Sequence, residues 1–249
     1  MPIAATSFLP LIIMPLLGLL DIEKVSGNYM HPTVLLYMGG FLMATGIEKW
    51  NLHRRIALNI INLLGTNLRK IVLGFILATG FLSMWISNSA TALMMLPIGL
   101  AVVNQFKVQL GKDKEHHAAN LGKNIMLGIA YAASIGGMAT LIGTPTNSIL
   151  VAVVKELYDY SIGFNDWFAF GLPLVILLLL ICWFFLVSLA NPLPRKFDLK
   201  ESNSIIFNQL KALGKISFEE KTVLVVFLLV CLAWVSRSFI LVKFFPEID

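Results

Sequence analysis

The chain has 249 residues, of which 57% are hydrophobic and 13% charged, and its mean hydropathy is +0.81. Ordinary soluble domains carry about 25% charged residues. No soluble fold hides so much apolar surface, so the composition predicts an all-α protein that crosses the lipid bilayer several times. The net charge of +5 does not indicate a nucleic-acid partner, because the basic residues fall between the apolar runs.

The first 47 residues predict two membrane spans joined by a short polar turn. Residues 1–20 are uncharged and contain prolines, which predicts one span or the remainder of one. The turn is residues 21–28, and residues 32–47 form the second span. No basic region precedes the first apolar stretch, which argues against a cleaved signal peptide. Because a complete membrane domain seldom begins with its apolar segment, we expect sequence to be missing upstream.

Residues 48–70 differ from the spans on either side of them. Isoleucines and leucines alternate with basic residues and asparagines. This mixture predicts an amphipathic helix that lies along the membrane surface, with Trp50 at the level of the lipid headgroups. The alternative is an ordinary helix within a loop.

Residues 71–106 form a run of 36 residues without Lys, Arg, Asp or Glu. One helix of that length would reach about 54 Å, whereas the hydrocarbon core is about 30 Å thick. Folded at Ser87, Asn88 and Ser89, the run gives two arms of about 18 residues each. It therefore predicts a re-entrant hairpin, whose polar tip must be covered by protein or line a wet cavity.

A second uncharged run follows the polar connection at residues 107–123. The pair His116 and His117 in that connection has no partner at metal-ligand spacing, and we interpret it as solvated. Residues 124–154 are uncharged, and residues 134–147 concentrate glycines, hydroxyl groups, a proline and an amide. Glycine and proline weaken a helix, so this run predicts a helix with an unwound polar centre.

The last third of the chain predicts two more spans. Residues 167–194 form a long apolar run, residues 195–221 are hydrophilic, and the final span covers residues 222 to about 240. Cys182 and Cys231 lie within these apolar runs. Their spacing fits neither a disulfide framework nor a metal site, so we expect free, buried thiols.

The basic residues predict the orientation in the membrane. One set of polar segments holds 15 of the 19 Lys and Arg residues, and the other set holds 4. The first set is residues 48–70, 107–123 and 195–221, and the second is residues 21–31, 155–166 and 237–249. Cytoplasmic loops are rich in Lys and Arg. We therefore expect a protein of the plasma (inner) membrane whose hairpin enters from the cytosol.

Two long apolar runs that are each broken by small polar residues are typical of the binding site of a secondary transporter. Unwound backbone and Ser or Asn side chains provide neutral oxygens, which suit a monovalent cation. Helix N-termini at the same breaks suit an anion. No Asp or Glu lies inside a span. Since a proton relay usually contains one, this pattern favours sodium over protons.

Other interpretations compete with transport. Ser, Thr and Gly in membrane helices often serve packing alone, and the chain could be a non-transporting partner subunit. An enzyme would need catalytic groups at one depth, and the spans contain no His, Cys–His pair or carboxylate that could serve. We therefore do not expect an enzyme.

Three motifs, in the same order, resemble those of the divalent anion/sodium symporter family. They are residues 40–58, 87–97 and 134–147, and the resemblance covers nearly the whole chain. It implies two inverted repeats of about five spans, each with one hairpin, in a homodimer that works by an elevator movement. It also implies transport of di- or tricarboxylates, in some members sulfate, usually with sodium. A sodium-independent carboxylate exchanger on the same fold is the alternative.

The resemblance further implies roles for residues of both breaks. The implied sodium ligands are Ser83, Ser87, Asn88 and a carbonyl near Gly136 or Gly137. The implied substrate residues are Asn88 and Ser89 at the hairpin tip, with Thr144, Pro145 and Asn147 in the neighbouring unwound segment.

The chain departs from the family pattern in two residues and in length. Ser89 stands where the signature has threonine, and Thr146 stands where proline is usual. A single Ser-Asn hairpin is present. We expect residues 1–221 to be the first repeat, without about two upstream spans, and residues 222–249 to begin the second. The chain is therefore expected to be a fragment that does not transport by itself.

Overall fold

The computed structural model describes residues 2–65, 67–110, 115–194 and 202–236. Within these ranges every regular element is a helix, and no strand occurs. The chain divides into two compact units, residues 1–39 and residues 40–249. The helical content agrees with the all-α fold class that the composition predicts.

The first unit is built from short helices. They are α1 (Ile3–Ser7), α2 (Leu9–Leu16) and α3 (Ile22–Tyr29), followed by α4 (Pro32–Lys49), which includes residues of both units. Residues 1–20, predicted as one span or the remainder of one, contain α1 and α2, which Phe8 separates, and Pro10 lies in the first turn of α2. Gly18, at φ 67°, follows the end of α2. Residues 21–28, predicted as a turn, belong largely to α3.

The second unit contains the remaining helices, which surround the two predicted breaks. They are α5 (Leu52–Leu64), α6 (Leu68–Ser83), α7 (Asn88–Leu110), α8 (Glu115–Gly136), α9 (Pro145–Tyr158), α10 (Phe164–Phe185), α11 (Ser202–Ala212) and α12 (Phe218–Ser236). A 3₁₀ turn, Gly137–Ala139, extends α8, and a π-helical turn, Leu186–Ala190, extends α10. The polar connection predicted at residues 107–123 is mostly helical, since α7 ends at Leu110 and α8 begins at Glu115.

Helix α6 lies at the centre of the second unit and packs against α5, α7, α8 and α10. Small residues allow these helices to approach closely. A methyl group on Gly74 would lie 3.0 Å from the backbone of Ile61 in α5. A methyl group on Gly136 of α8 would collide with the carbonyl oxygen of Gly80 in α6. The spacing of α6 and α8 therefore depends on glycine.

The amphipathic segment at residues 48–70 contains helix α5, as predicted. Its apolar side chains Leu58 and Ile61 are fully buried, and Ile61 contacts α6. The apolar face of α5 therefore packs on protein. His53 is also buried, with its Nδ1 3.4 Å from the carbonyl oxygen of Ile47. Burial lowers the pKa of this imidazole, so the ring is neutral at physiological pH.

Polar side chains join the start of α6, the first half of α8 and the chain after α10. Arg69 Nε donates to the carbonyl oxygen of Leu193 at 2.7 Å. Asn124 Nδ2 donates to the carbonyl oxygen of Asn191 at 2.9 Å. These bonds satisfy carbonyl groups that the end of α10 leaves without helical partners, and they place three helix ends at one end of the unit.

Among the described residues, three helical stretches are long and apolar enough to cross a membrane, by length and composition. They are residues 22–49, 88–108 and 164–190, and a shorter apolar helix covers Ala5–Leu16. Large apolar side chains are exposed along α10 and α12, for example Phe170 and Leu229. Together with the helical fold, these features fit a polytopic membrane protein. Cys182 and Cys231 are free and half-buried.

Candidate functional site

The first predicted break separates α6 from α7. Helix α6 ends at Ser83, α7 begins at Asn88, and residues 84–87 are not helical. Ser87 precedes α7, and its hydroxyl oxygen accepts a bond from the amide of Ala90 at 3.4 Å. This is the usual arrangement of an N-cap residue. The two arms are unequal, with 16 residues in α6 and 23 in α7, whereas the sequence predicted about 18 in each.

The second predicted break separates α8 from α9. After Gly136 the chain makes the 3₁₀ turn and a non-helical stretch at residues 140–144. Helix α9 begins at Pro145. Proline suits this first position because its missing N–H would have no helical partner there. The unwound polar centre predicted for residues 124–154 is therefore present.

The two breaks lie against each other. Thr140 Oγ1, in the second break, donates to the carbonyl oxygen of Met84 in the first at 2.5 Å. Gly137 packs directly on the side chain of Asn88, so that a methyl group on Gly137 would collide with Asn88 Oδ1. Thr140 and Gly137 are both buried. Tertiary contacts thus join the break residues that the sequence predicts to share a site.

Three oxygens converge at the end of α6. The Oγ of Ser83 lies 2.9 Å from Asn88 Oδ1 and 2.5 Å from the carbonyl oxygen of Ala133. A hydroxyl group has one proton, so Ser83 donates to one of these two acceptors at a time. The cluster consequently has more acceptor oxygens than protons. Ser83 is fully buried and Asn88 is half-buried, and their uncharged oxygens face each other, an arrangement that suits a hard cation.

Asn147, predicted as a substrate residue, lies in the first turn of α9. It is buried, and its Nδ2 donates to the carbonyl oxygens of Gly137 at 2.9 Å and Thr140 at 2.8 Å. Ser148 adds a bond to the carbonyl oxygen of Leu141 at 2.7 Å. These side chains satisfy the unwound backbone. Asn147 therefore holds the second break in shape.

The remaining predicted residues lie around this cluster. Ser89, in the first turn of α7, and Pro145, in the first turn of α9, are exposed. Thr144 precedes α9 and Thr146 lies in its first turn, and their Oγ1 atoms are 3.2 Å apart. Gly136 packs on the backbone of Gly80 in α6.

The structure also shows residues that the sequence did not single out. Ala133 enters the oxygen cluster through its carbonyl group, which no side-chain pattern could indicate. Thr140 belongs to the second motif, but its bond to Met84 depends on the tertiary fold. Trp167 of α10 donates from Nε1 to the carbonyl oxygen of Met138 at 3.0 Å. A tryptophan at the start of an apolar run would ordinarily be assigned to the lipid headgroup region.

The model of the sodium:sulfate symporter transmembrane region matches residues 1–245 of the chain. The chain belongs to this family. The resemblance to divalent anion/sodium symporters, predicted from the three motifs, is confirmed, and the family is one of transporters.

Curated relatives extend the similarity to named proteins. A sodium-dependent dicarboxylate transporter, SdcS, of Staphylococcus saprophyticus is 43% identical over 244 residues, which cover 96% of this chain and 46% of the relative. The SdcS protein of Staphylococcus aureus strain USA300 is 43% identical over 243 residues, which cover 97% of this chain and 46% of the relative. The chain therefore spans about half the length of these relatives.

Proposed function

We propose that this chain forms part of a secondary transporter that couples the uptake of di- or tricarboxylate anions to sodium. The observation that carries the proposal is the buried oxygen cluster where the hairpin break meets the broken helix α8–α9. The relatives are named sodium-dependent dicarboxylate transporters, which supports both the ion and the class of substrate. The family description also names sulfate, which is the second candidate substrate.

Sodium binds, in this proposal, between the two breaks. Ser83 Oγ, Asn88 Oδ1 and the Ala133 carbonyl oxygen supply ligands, and Ser87 at the start of α7 supplies a further oxygen. The predicted carbonyl ligand near Gly136 or Gly137 belongs to the same segment. The carbonyl oxygen of Gly137 accepts a bond from Asn147 and retains a second lone pair. Neutral oxygens favour sodium because no carboxylate charge is available to hold a proton.

The substrate anion binds, in this proposal, at the starts of α7 and α9. The first turn of a helix has amide N–H groups without helical partners and carries partial positive charge. Asn88 and Ser89 begin α7, and Thr144 and Pro145 mark the start of α9. Both helices start beside the proposed cation oxygens. A bound cation would then strengthen anion binding, and this coupling is what symport requires.

The arrangement in the membrane is also part of the proposal. Helix α6 has 16 residues, or about 24 Å, which is shorter than the hydrocarbon core of about 30 Å. Helix α7, with 23 residues, is long enough to cross that core, so the re-entrant hairpin is proposed from the family resemblance and from the short first arm. We assign residues 1–221 to the first of two inverted repeats and residues 222–249 to the start of the second. The complete protein would be a homodimer with an elevator mechanism.

Sodium-dependent stability tests the proposed cation site. In the complete gene product, purified in detergent, sodium chloride should raise the thermal midpoint relative to potassium chloride at equal ionic strength. A ligand at ten times its Kd stabilises the folded state by about 1.4 kcal/mol. Asn88→Ala should abolish the difference between the salts, because Asn88 supplies Oδ1. The control Asn59→Ala should keep it, since Asn59 bonds the backbone of Arg55 on α5.

Three outcomes would count against the proposal. Equal thermal midpoints in the two salts, for a folded wild-type protein, would show that the proposed sodium site does not exist. Uptake of labelled succinate that persists when potassium replaces sodium would instead identify a sodium-independent exchanger. A normal sodium response in Asn88→Ala would move the site away from the hairpin tip.

A further inference from the structure

The hairpin break contains a large aromatic side chain that the proposed cation site does not use. Trp85 lies between Ser83 and Asn88 in the chain, within the non-helical residues 84–87. Its ring packs on α12: it meets Phe227 edge-on, with centroids 5.2 Å apart, and stacks on Trp234 with centroids 6.3 Å apart. The break is therefore in direct contact with α12.

Among the described residues, ring contacts and not a side-chain hydrogen bond hold the indole of Trp85. Its Nε1 is buried and has no hydrogen-bond partner there. Aromatic pairs of this geometry stabilise beyond the area that they bury. Phe227 is 5% exposed, so the edge-on contact is shielded from lipid and solvent. The orientation of the indole ring consequently depends on where α12 lies.

Helix α12 is held at both ends. At its start, Arg55 of α5 donates from Nε and Nη2 to the two carboxylate oxygens of Glu220, at 3.1 and 3.0 Å. Near its end, Asn165 Nδ2 donates to the carbonyl oxygen of Val235 at 2.7 Å. Phe164 adds a ring contact to Trp234 at 5.6 Å. These contacts restrict sliding of α12 along its neighbours.

The break is thus held from two directions. On one side, Thr140 of the broken helix bonds the carbonyl oxygen of Met84. On the other side, α12 contacts the ring of the next residue, Trp85. The break has only four non-helical residues between α6 and α7. A shift of either contact therefore changes the separation of Ser83 Oγ and Asn88 Oδ1, which is 2.9 Å.

We propose that α12 sets the geometry of the cation oxygens through Trp85, and that Trp85 and Phe227 are positioning residues for sodium. The inference rests on the proposed sodium-coupled transport. The ring contacts favour the conformation of the break in which Ser83 and Asn88 face the ion. When a contact is lost, the competent conformation is less populated, and the apparent sodium affinity falls.

The test compares variants of the complete gene product in proteoliposomes, with labelled succinate as the transported probe. Phe227→Leu should raise the half-saturating sodium concentration about two- to tenfold, the range that corresponds to one aromatic pair. The maximal rate should stay within about twofold, because the ligands themselves are intact. Trp234→Leu, at a less buried residue, should also raise the half-saturating sodium concentration. Trp85→Phe keeps a ring and should have a smaller effect.

A matched control and the wild type make the result decisive. Phe8→Leu removes the ring that stacks on Tyr29 at 5.9 Å in the first unit and should leave the sodium dependence unchanged. Unchanged sodium half-saturation in both Phe227→Leu and Trp234→Leu would overturn the inference. A loss of sodium affinity in Trp85→Phe alone would also overturn the inference, because it would indicate a role for the indole N–H. Absence of sodium dependence in the wild type would refute the proposed function itself.

Discussion

At the scale of single residues, Arg55 makes the most extensive polar contacts of the second unit. Besides the two bonds to Glu220, its Nη1 and Nη2 donate to the carbonyl oxygens of Gly214 at 3.1 Å and Leu213 at 3.3 Å. These carbonyls follow the end of α11, and Glu220 lies in the first turn of α12. One guanidinium group therefore joins α5 to the turn between α11 and α12.

Arg55→Lys should lower stability although it conserves the charge. A lysine ammonium is compact and cannot reproduce the planar, five-donor geometry of arginine. We expect a loss of about 2 kcal/mol in the free energy of unfolding, since bonds to a buried carboxylate and to helix-end carbonyls are lost together. The loss of stability is measured as a lower thermal midpoint of the protein in detergent. Arg54→Lys, at the exposed neighbouring residue, is the matched control, and equal midpoints for the two variants would contradict the assignment.

The charge state of Glu220 supports that prediction. Burial acts to raise the pKa of this carboxyl group, but the hydrogen bonds from Arg55 and from the Ser217 amide lower it by more, so the net pKa lies below its ordinary value. A carboxyl group with a lowered folded-state pKa stabilises the protein at neutral pH, and that contribution is lost as the pH falls through the folded-state pKa. The pair is therefore ionised under physiological conditions.

The sequence indicates which polar residues lie at the breaks, but it does not indicate which atoms they contact. Ser83, Ser87 and Asn88 are recognisable because polar side chains in an uncharged run need a protein or ligand partner. Asn147 was expected at the substrate, yet its amide bonds the backbone of its own break. The sequence shows a polar group near a break. It does not show whether that group satisfies the backbone or faces a ligand.

At the scale of helices, glycine determines how closely α6 and α8 approach. A methyl group on Gly136 would meet the carbonyl oxygen and Cα of Gly80, which are backbone atoms that cannot rotate away. The two helices would have to separate, and they carry Ser83 and Ala133 of the oxygen cluster. Close backbone contact of this kind is typical of small residues in membrane helices.

Gly136→Ala should therefore impair both stability and sodium binding. Overpacking of a tight interior costs about 1–3 kcal/mol, and here the displaced helices would also move the proposed cation ligands apart. We expect a lower thermal midpoint and loss of the sodium-dependent rise. Gly39→Ala, in α4, is a matched control because nothing lies within 4 Å of the added methyl group. A wild-type sodium response in Gly136→Ala would show that the helix spacing does not determine the site.

The helices were predictable where the pattern was long and uniform. The runs at residues 71–106 and 124–154 gave both breaks correctly, since polar and helix-weakening residues interrupt otherwise continuous apolar stretches. Residues 1–20 were predicted as one span or the remainder of one, and they hold a shorter apolar helical stretch, Ala5–Leu16. The polar residues at 107–123 were predicted as a connection and are mostly helical. Polarity alone does not exclude a helix, because exposed polar residues tolerate helical backbone.

At the scale of the whole chain, the distribution of basic residues agrees with contacts in the second unit. The segments 48–70, 107–123 and 195–221 were predicted to share one side of the membrane. The structure joins the first to the third through Arg55 and Glu220. It joins the second to the end of α10 through Asn120, whose Nδ2 donates to the carbonyl oxygen of Pro192 at 3.3 Å. The three most basic segments therefore meet at one end of the unit.

Cysteine labelling tests whether that end faces the cytosol. In a background with Cys182→Ala and Cys231→Ala, Ala119→Cys and Ser161→Cys introduce thiols at exposed residues in segments predicted inside and outside. A membrane-impermeant maleimide added to intact cells should label the cysteine at position 161. It should label the cysteine at position 119 only after permeabilisation. The expectation follows from the 15 Lys and Arg residues on the first side against 4 on the other, since basic loops remain cytoplasmic. The reverse labelling would place the entrance of the hairpin outside the cell. Sodium would then reach the oxygen cluster without the inward opening that the proposed orientation requires.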